Sequence, residues 1–167
     1  MRRVLRNTVK KEVGKMKKTI LVSACLLGEP TRYDGQSRPN SRVSLLLEKY
    51  ELIPVCPEVM GGLPTPRTPS ERVFERVLMR DGRDVTEEYE RGAALALERA
   101  VEAGCTLAIL KERSPSCGFG KIYDGSFSGK LTDGNGVAAE LLSSHGIRVI
   151  GETSPELDVL LSCADKQ

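Results

Sequence analysis

Apolar residues are distributed along this chain in short unbroken runs, separated by helical stripes and turn residues. The runs are Thr19-Ile20-Leu21-Val22-Ser23-Ala24-Cys25, Leu52-Ile53-Pro54-Val55-Cys56, Thr106-Leu107-Ala108-Ile109-Leu110 and Ile147-Arg148-Val149-Ile150. Runs of about four to eight apolar residues bounded by Gly and Pro predict buried strands. After the first run, a Gly- and Pro-punctuated loop over 26–35 leads to a short helix over 41–50, with Val43, Leu46 and Leu47 on one face. Between the second and third runs a helix is predicted over 86–103. Thr86 is its expected N-cap, and Gly104 ends it. Its apolar stripe holds Ala93, Ala94, Leu97, Ala100 and Val101. Gly134-Asn135-Gly136 then opens a helix that continues to His145.

Two stretches break this rhythm. Four prolines between Pro57 and Pro69, with Gly61 and Gly62, exclude regular structure there and predict a stiff, shaped loop. Residues 77–85 read as a hairpin around Asp81-Gly82, while 70–79 read equally as a helix. Glycine-rich turns fill 118–129. Strands alternating with helices predict an α/β fold: a small parallel sheet in a three-layer, flavodoxin- or Rossmann-like single domain with helices on both faces.

Composition narrows the class. The 167 residues are 29% charged and 40% hydrophobic, as in an ordinary globular domain, and no apolar run approaches the ~20 residues that span a bilayer. The first eighteen residues hold eight Lys or Arg against one acid, Glu12, with no apolar core or cleavage site of a signal peptide. Residues 1–17 therefore read as a basic, disordered extension, and 18–167 as one domain. Removing those eighteen residues from the totals of 25 basic and 23 acidic leaves 17 against 22. A mildly acidic domain argues against long nucleic acid as an electrostatically held partner. Five cysteines without a secretion signal point to the cytoplasm, and to metal or redox chemistry more than to structural disulfides.

Three of those cysteines stand where an apolar run gives way to a turn. Cys25 and Cys56 close the first and second strands, and Cys117 lies in Ser114-Pro115-Ser116-Cys117-Gly118 beyond the third. Ligands of open parallel sheets bind beyond the carboxyl ends of the strands, so three thiols 31 and 61 residues apart are placed to converge. Soft thiolates suit zinc or iron–sulfur clusters, but there is no Cys-x-x-Cys pair, and the one histidine, His145, sits on a distant helix. A cubane cluster held by three cysteines, with one iron left open, fits this inventory better than structural zinc; unrelated structural cysteines remain the competing reading. Cys105 reads as a buried small hydrophobe and Cys163 as a surface thiol. Around the three thiols, Glu58 is a candidate proton shuttle, Ser114 and Ser116 candidate donors to an anion or a cluster sulfur, and Lys111 a balancing cation. Arg32, Asp34, Arg67 and Glu71 are candidate rim residues. Flat packing against a planar ligand would fall to Tyr33, Phe119, Tyr123 or aliphatic surface.

Several of these motifs occur together and in order: Ser23-Ala24-Cys25-Leu26-Leu27-Gly28, Arg32-Tyr33-Asp34-Gly35, Val55-Cys56-Pro57-Glu58-Val59, Gly61-Gly62-Leu63-Pro64-Thr65-Pro66-Arg67, Asp81-Gly82-Arg83-Asp84-Val85-Thr86, Lys111-Glu112-Arg113-Ser114-Pro115-Ser116-Cys117-Gly118 and Tyr123-Asp124-Gly125 with Ser128-Gly129. From about Lys18 to Glu152 the chain resembles the bacterial family that includes the 2-thiouracil desulfidases. The resemblance implies a [4Fe-4S] cluster held by Cys25, Cys56 and Cys117, whose open iron takes the thiocarbonyl sulfur of a small thiolated base or nucleoside. It also implies that Glu58 and Ser114 assist as C=S is replaced by C=O and sulfide leaves. Two other classes stay open at this point: a non-catalytic cluster binder such as a sulfur carrier or redox sensor, and a metal-free small-ligand domain.

Overall fold

A computed structural model describes residues 17–163. Four strands form one parallel sheet: β1 (Thr19–Ser23), β2 (Glu51–Val55), β5 (Leu107–Leu110) and β8 (Arg148–Gly151), in the order β2-β1-β5-β8. Strand β5 is buried throughout and β1 nearly so, as central parallel strands must be. Pro54, which has no N–H to give a ladder, is exposed on the edge strand β2.

Helices cover both faces. On one side α3 (Thr86–Glu102) and α4 (Val137–Ser144) enclose Leu21, Ile53, Ala108, Leu110 and Val149. On the other, α1 (Ser41–Leu45) and α5 (Glu156–Cys163) flank Ile20, Val22, Ile109 and Ile150. The expected three-layer α/β architecture is therefore present. Among the described residues no helix is long and apolar enough to cross a membrane.

Several local expectations are corrected. The helix over 41–50 is split into α1 and a 3-10 turn at Leu46–Glu48, and Leu47 points outward. Thr86 is the first residue of α3, with Asp84 Oδ1 accepting its N–H at 2.9 Å, so Thr86 does not cap the helix. The buried stripe of α3 runs through Tyr89, Gly92, Ala93, Ala96 and Ala100, whereas Ala94 and Val101 face solvent. Residues 70–79 are not helical: β3 (Ser70–Val73) and β4 (Arg76–Met79) form an antiparallel hairpin that turns at Phe74-Glu75. The Asp81-Gly82 turn exists as a second reversal, bringing Leu78 opposite Asp84. Proline does not exclude helix at Pro57, because a first-turn position needs no N–H donor; α2 (Pro57–Met60) follows β2 directly. The 118–129 turns contain β6 (Lys121–Tyr123), which pairs antiparallel with β7 (Leu131–Asp133). Cys105 is buried, as read. Residues 1–16 of the expected extension over 1–17, and the side chain of Cys163, lie outside the described residues.

Candidate functional site

The strand order reverses between β1 and β5, and the crevice opens there, at their carboxyl ends. The β1–β5 pairing is recorded at Leu21–Ala108 and Val22–Ile109. Beyond it, the buried Ser23 hydroxyl accepts the Lys111 N–H at 2.9 Å. A cavity of about 710 Å³ fills this crevice, within the roughly 300–1,000 Å³ usual for small-molecule sites. The sheet ends form its floor. Residues of the two hairpins, including Glu71, Tyr123 and Phe127, line it as well.

Cys25, Cys56 and Cys117 all line this cavity. Cys25 lies in the 3-10 turn after β1, Cys56 precedes the first turn of α2, and Cys117 follows the Ser114-Pro115-Ser116 turn after β5. Burial, then the neighbouring Cys56, raises the Cys25 thiol from its ordinary 9.0 to about 11. Burial likewise raises Cys56. Cys117 is pushed far up by burial; the Ser23 hydroxyl opposes this, while Cys56 and Cys25 add to it. Cys25 and Cys117 thus each sense Cys56, and none of the three forms a disulfide.

Glu58, in the first turn of α2, lines the cavity beside Cys56. One of its oxygens, Oε1, receives Tyr89 Oη at 2.6 Å and Arg67 Nε at 3.2 Å. Arg67 is almost wholly buried and also donates to the Thr31 carbonyl at 2.9 Å; the same carbonyl accepts the Cys56 thiol at 3.7 Å. Ser114 Oγ accepts two backbone N–H groups, from Ser116 and Cys117, each at 3.1 Å. With its lone pairs so engaged, the hydroxyl keeps its proton to donate into the cavity. Lys111 is paired with Glu152 at 2.6 Å, and Arg32 also lines the crevice.

Two candidate residues lie outside the lining. Asp34 shapes the loop after Cys25, accepting the Gln36 N–H at 3.1 Å and pairing with Arg32 at 3.7 Å. Ser116 is fully buried, and its Oγ has no partner among the described residues. Of the aromatics, Tyr33 and Tyr123 line the cavity and Phe119 does not. Sequence reasoning missed Tyr89, Arg80, Arg113 and Phe127. Tyr89 has the 3.6-residue spacing of a core position, and the other three stand in loops or at an element end without periodicity.

The donor set fits a multi-iron cluster. Among the described residues no three His, Cys, Asp or Glu side chains gather tightly enough for one ion. The three thiols line one cavity, and a cluster would take each thiolate at a different iron. Six cations against four carboxylates line the cavity, which favours an anionic guest such as a thiolate-ligated cluster.

Comparison with known proteins agrees with this geometry. A Bacillus subtilis (strain 168) protein, the uncharacterized protein YbbK, is 43% identical over 143 residues, which cover 80% of this chain and 95% of YbbK. A solved structure of a [4Fe-4S]-dependent thiouracil desulfidase, TudS, is 49% identical with a TM-score of 0.81, over 88% of this chain and 99% of that one. The profile of the 2-thiouracil desulfurase family matches residues 20–154, and the chain belongs to that family.

Proposed function

We propose that this protein is an iron–sulfur-dependent desulfidase that converts the thiocarbonyl of a small thiolated pyrimidine base or nucleoside to a carbonyl. The observation that carries the reading is the presence of Cys25, Cys56 and Cys117, from three separate strand ends, in one cavity with Glu58 and Ser114. The three thiolates would hold a [4Fe-4S] cluster, which supplies an open iron as a Lewis acid with affinity for sulfur. One water is consumed, C=S becomes C=O, and hydrogen sulfide leaves, with no change of oxidation state. Glu58, its Oε1 held by Tyr89 and Arg67, presents Oε2 as the base that takes the water proton and returns it to the departing sulfur. Ser114 donates its hydroxyl proton to the charge that develops on the ring. Lys111 and Arg32 offset negative charge at the cavity floor. The reducing cytoplasm, where such thiols stay free, is the compartment that suits this chemistry.

The test is anaerobic reconstitution followed by iron, acid-labile sulfide and sulfide-release assays on 2-thiouracil. The expected result is about four irons and four sulfides per chain, with turnover. Both disappear in Cys25→Ala, Cys56→Ala and Cys117→Ala and persist in Cys105→Ala, because Cys105 precedes β5 at the opposite end of the strand. Iron uptake indifferent to the three changes would overturn the reading.

A further inference from the structure

Phe127 is a large apolar residue in an unfavourable place. It sits in the β6–β7 loop with φ 54, a left-handed conformation that bulky side chains rarely adopt. It belongs to none of the three hydrophobic clusters of the protein, so packing in a core does not account for it. The loop is instead held from below. Glu71 of β3, a buried carboxylate, accepts the N–H groups of Gly125 at 2.9 Å and of Phe127 at 3.1 Å, both on Oε1. The Arg80 guanidinium lies over the Phe127 ring, 5.6 Å from its centroid. Phe127, Glu71 and Arg80 line the same cavity as the three thiols. Strain persists where the surroundings over-determine it, and here a buried carboxylate fixes the Phe127 backbone while a cation covers its half-buried ring in the lining of a binding cavity.

We propose that Phe127 is the aromatic wall of the substrate cavity, against which the planar pyrimidine ring packs, with Glu71 and Arg80 as its positioning residues. The inference rests on the desulfidase reading for the identity of the ring. Aromatic contact to a base discriminates planar heterocycles from other thiocarbonyl compounds, and it does so without using the hydrogen-bonding edge that the reaction needs.

The experiment uses anaerobically loaded protein: the parent, Phe127→Leu, Phe127→Tyr and Phe127→Gly. KM and kcat are measured for 2-thiouracil, and equilibrium binding of uracil, the sulfur-free product, is measured by calorimetry. Leu is expected to raise both KM and the uracil Kd roughly ten-fold at nearly unchanged kcat, and Tyr to restore both. Gly is expected to lose binding as Leu does while raising the thermal midpoint, because glycine is unstrained at this φ. A Leu or Gly variant with the parent's KM and Kd overturns the proposal, as does a Tyr variant as weak as Leu. Parent turnover tests the desulfidase reading separately. A parent that turns over beside an unaffected Leu variant sinks only the wall, and a parent with neither turnover nor uracil binding sinks both.

Discussion

The Tyr89 hydroxyl donates a 2.6 Å hydrogen bond to the Glu58 oxygen that the Arg67 guanidinium also grips. One carboxylate oxygen is thereby fixed from two elements, α3 and the proline-rich loop, and the other is left for the cavity. Burial, then the Glu58 charge, holds the Tyr89 hydroxyl well above its ordinary ionisation range, so it stays a donor. Tyr89→Phe should lower kcat about five- to ten-fold, the worth of one hydrogen bond, while KM and iron content stay at parental values. Steady-state kinetics beside an iron assay checks this; a loss of iron with unchanged kcat per loaded site would contradict it.

Ser114→Ala should abolish most turnover yet leave the cluster in place. The turn around Cys117 is held by other bonds, Gly118 N–H to the Ser114 carbonyl at 2.9 Å and Ala138 N–H to the Ser116 carbonyl at 2.9 Å. Losing the acceptor for two N–H groups costs about 1–3 kcal/mol of stability. Denaturant unfolding and sulfide release on the same preparation separate the two effects.

Gly61 and Gly92 let α2 and α3 meet backbone to backbone. A Cβ on Gly92 would stand 1.8 Å from the Pro57 carbonyl oxygen, and one on Gly61 would stand 1.9 Å from that of Glu88. Gly92→Ala must push α2 outward, with Glu58 on it and Cys56 at its N-terminus, at a cost of about 1–3 kcal/mol. Iron retention during gel filtration should fall in this variant, although it alters no cavity residue. Parental retention would show that α2 adapts freely.

The Cys25 thiol sets a pH signature of the cluster-free protein. Its value is about 11 in the fold against an ordinary 9.0, so below pH 9 both states carry the proton and nothing is lost. As pH rises from about 9 through about 11 the unfolded chain ionises first, and stability falls. The thermal midpoint should drop across that window more steeply in the parent than in Cys25→Ser. Equal slopes would refute the assignment. Cluster loading displaces protons from these thiols, so it should strengthen over the same rise in pH.

How much was legible follows from where each signal resides. Strands β1, β2 and β5 announce themselves as apolar runs stopped by turn residues, and a cysteine after each places the thiols at one sheet edge once the strands are parallel. The partner of Tyr89 is 31 residues away in sequence, so its spacing on α3 marks burial and says nothing of Glu58. The β3–β4 turn uses Phe74-Glu75, which carries no turn chemistry, while the Asp81-Gly82 signal beside it marks a different reversal. Phe127 lies among glycines, where only the fold reveals that Glu71 holds it.

Because Cys25, Cys56 and Cys117 are separated by 31 and 61 residues, an unfolded or half-synthesised chain offers iron no ready chelate. Proteins built on neighbouring cysteine pairs can seize metal first and fold around it. This chain must close its sheet through β5 before its three sulfurs share a space, so a cluster held by them would load only after folding. Under iron shortage the expected product is then a folded, empty scaffold, which a cluster bound by the native state alone would stabilise further.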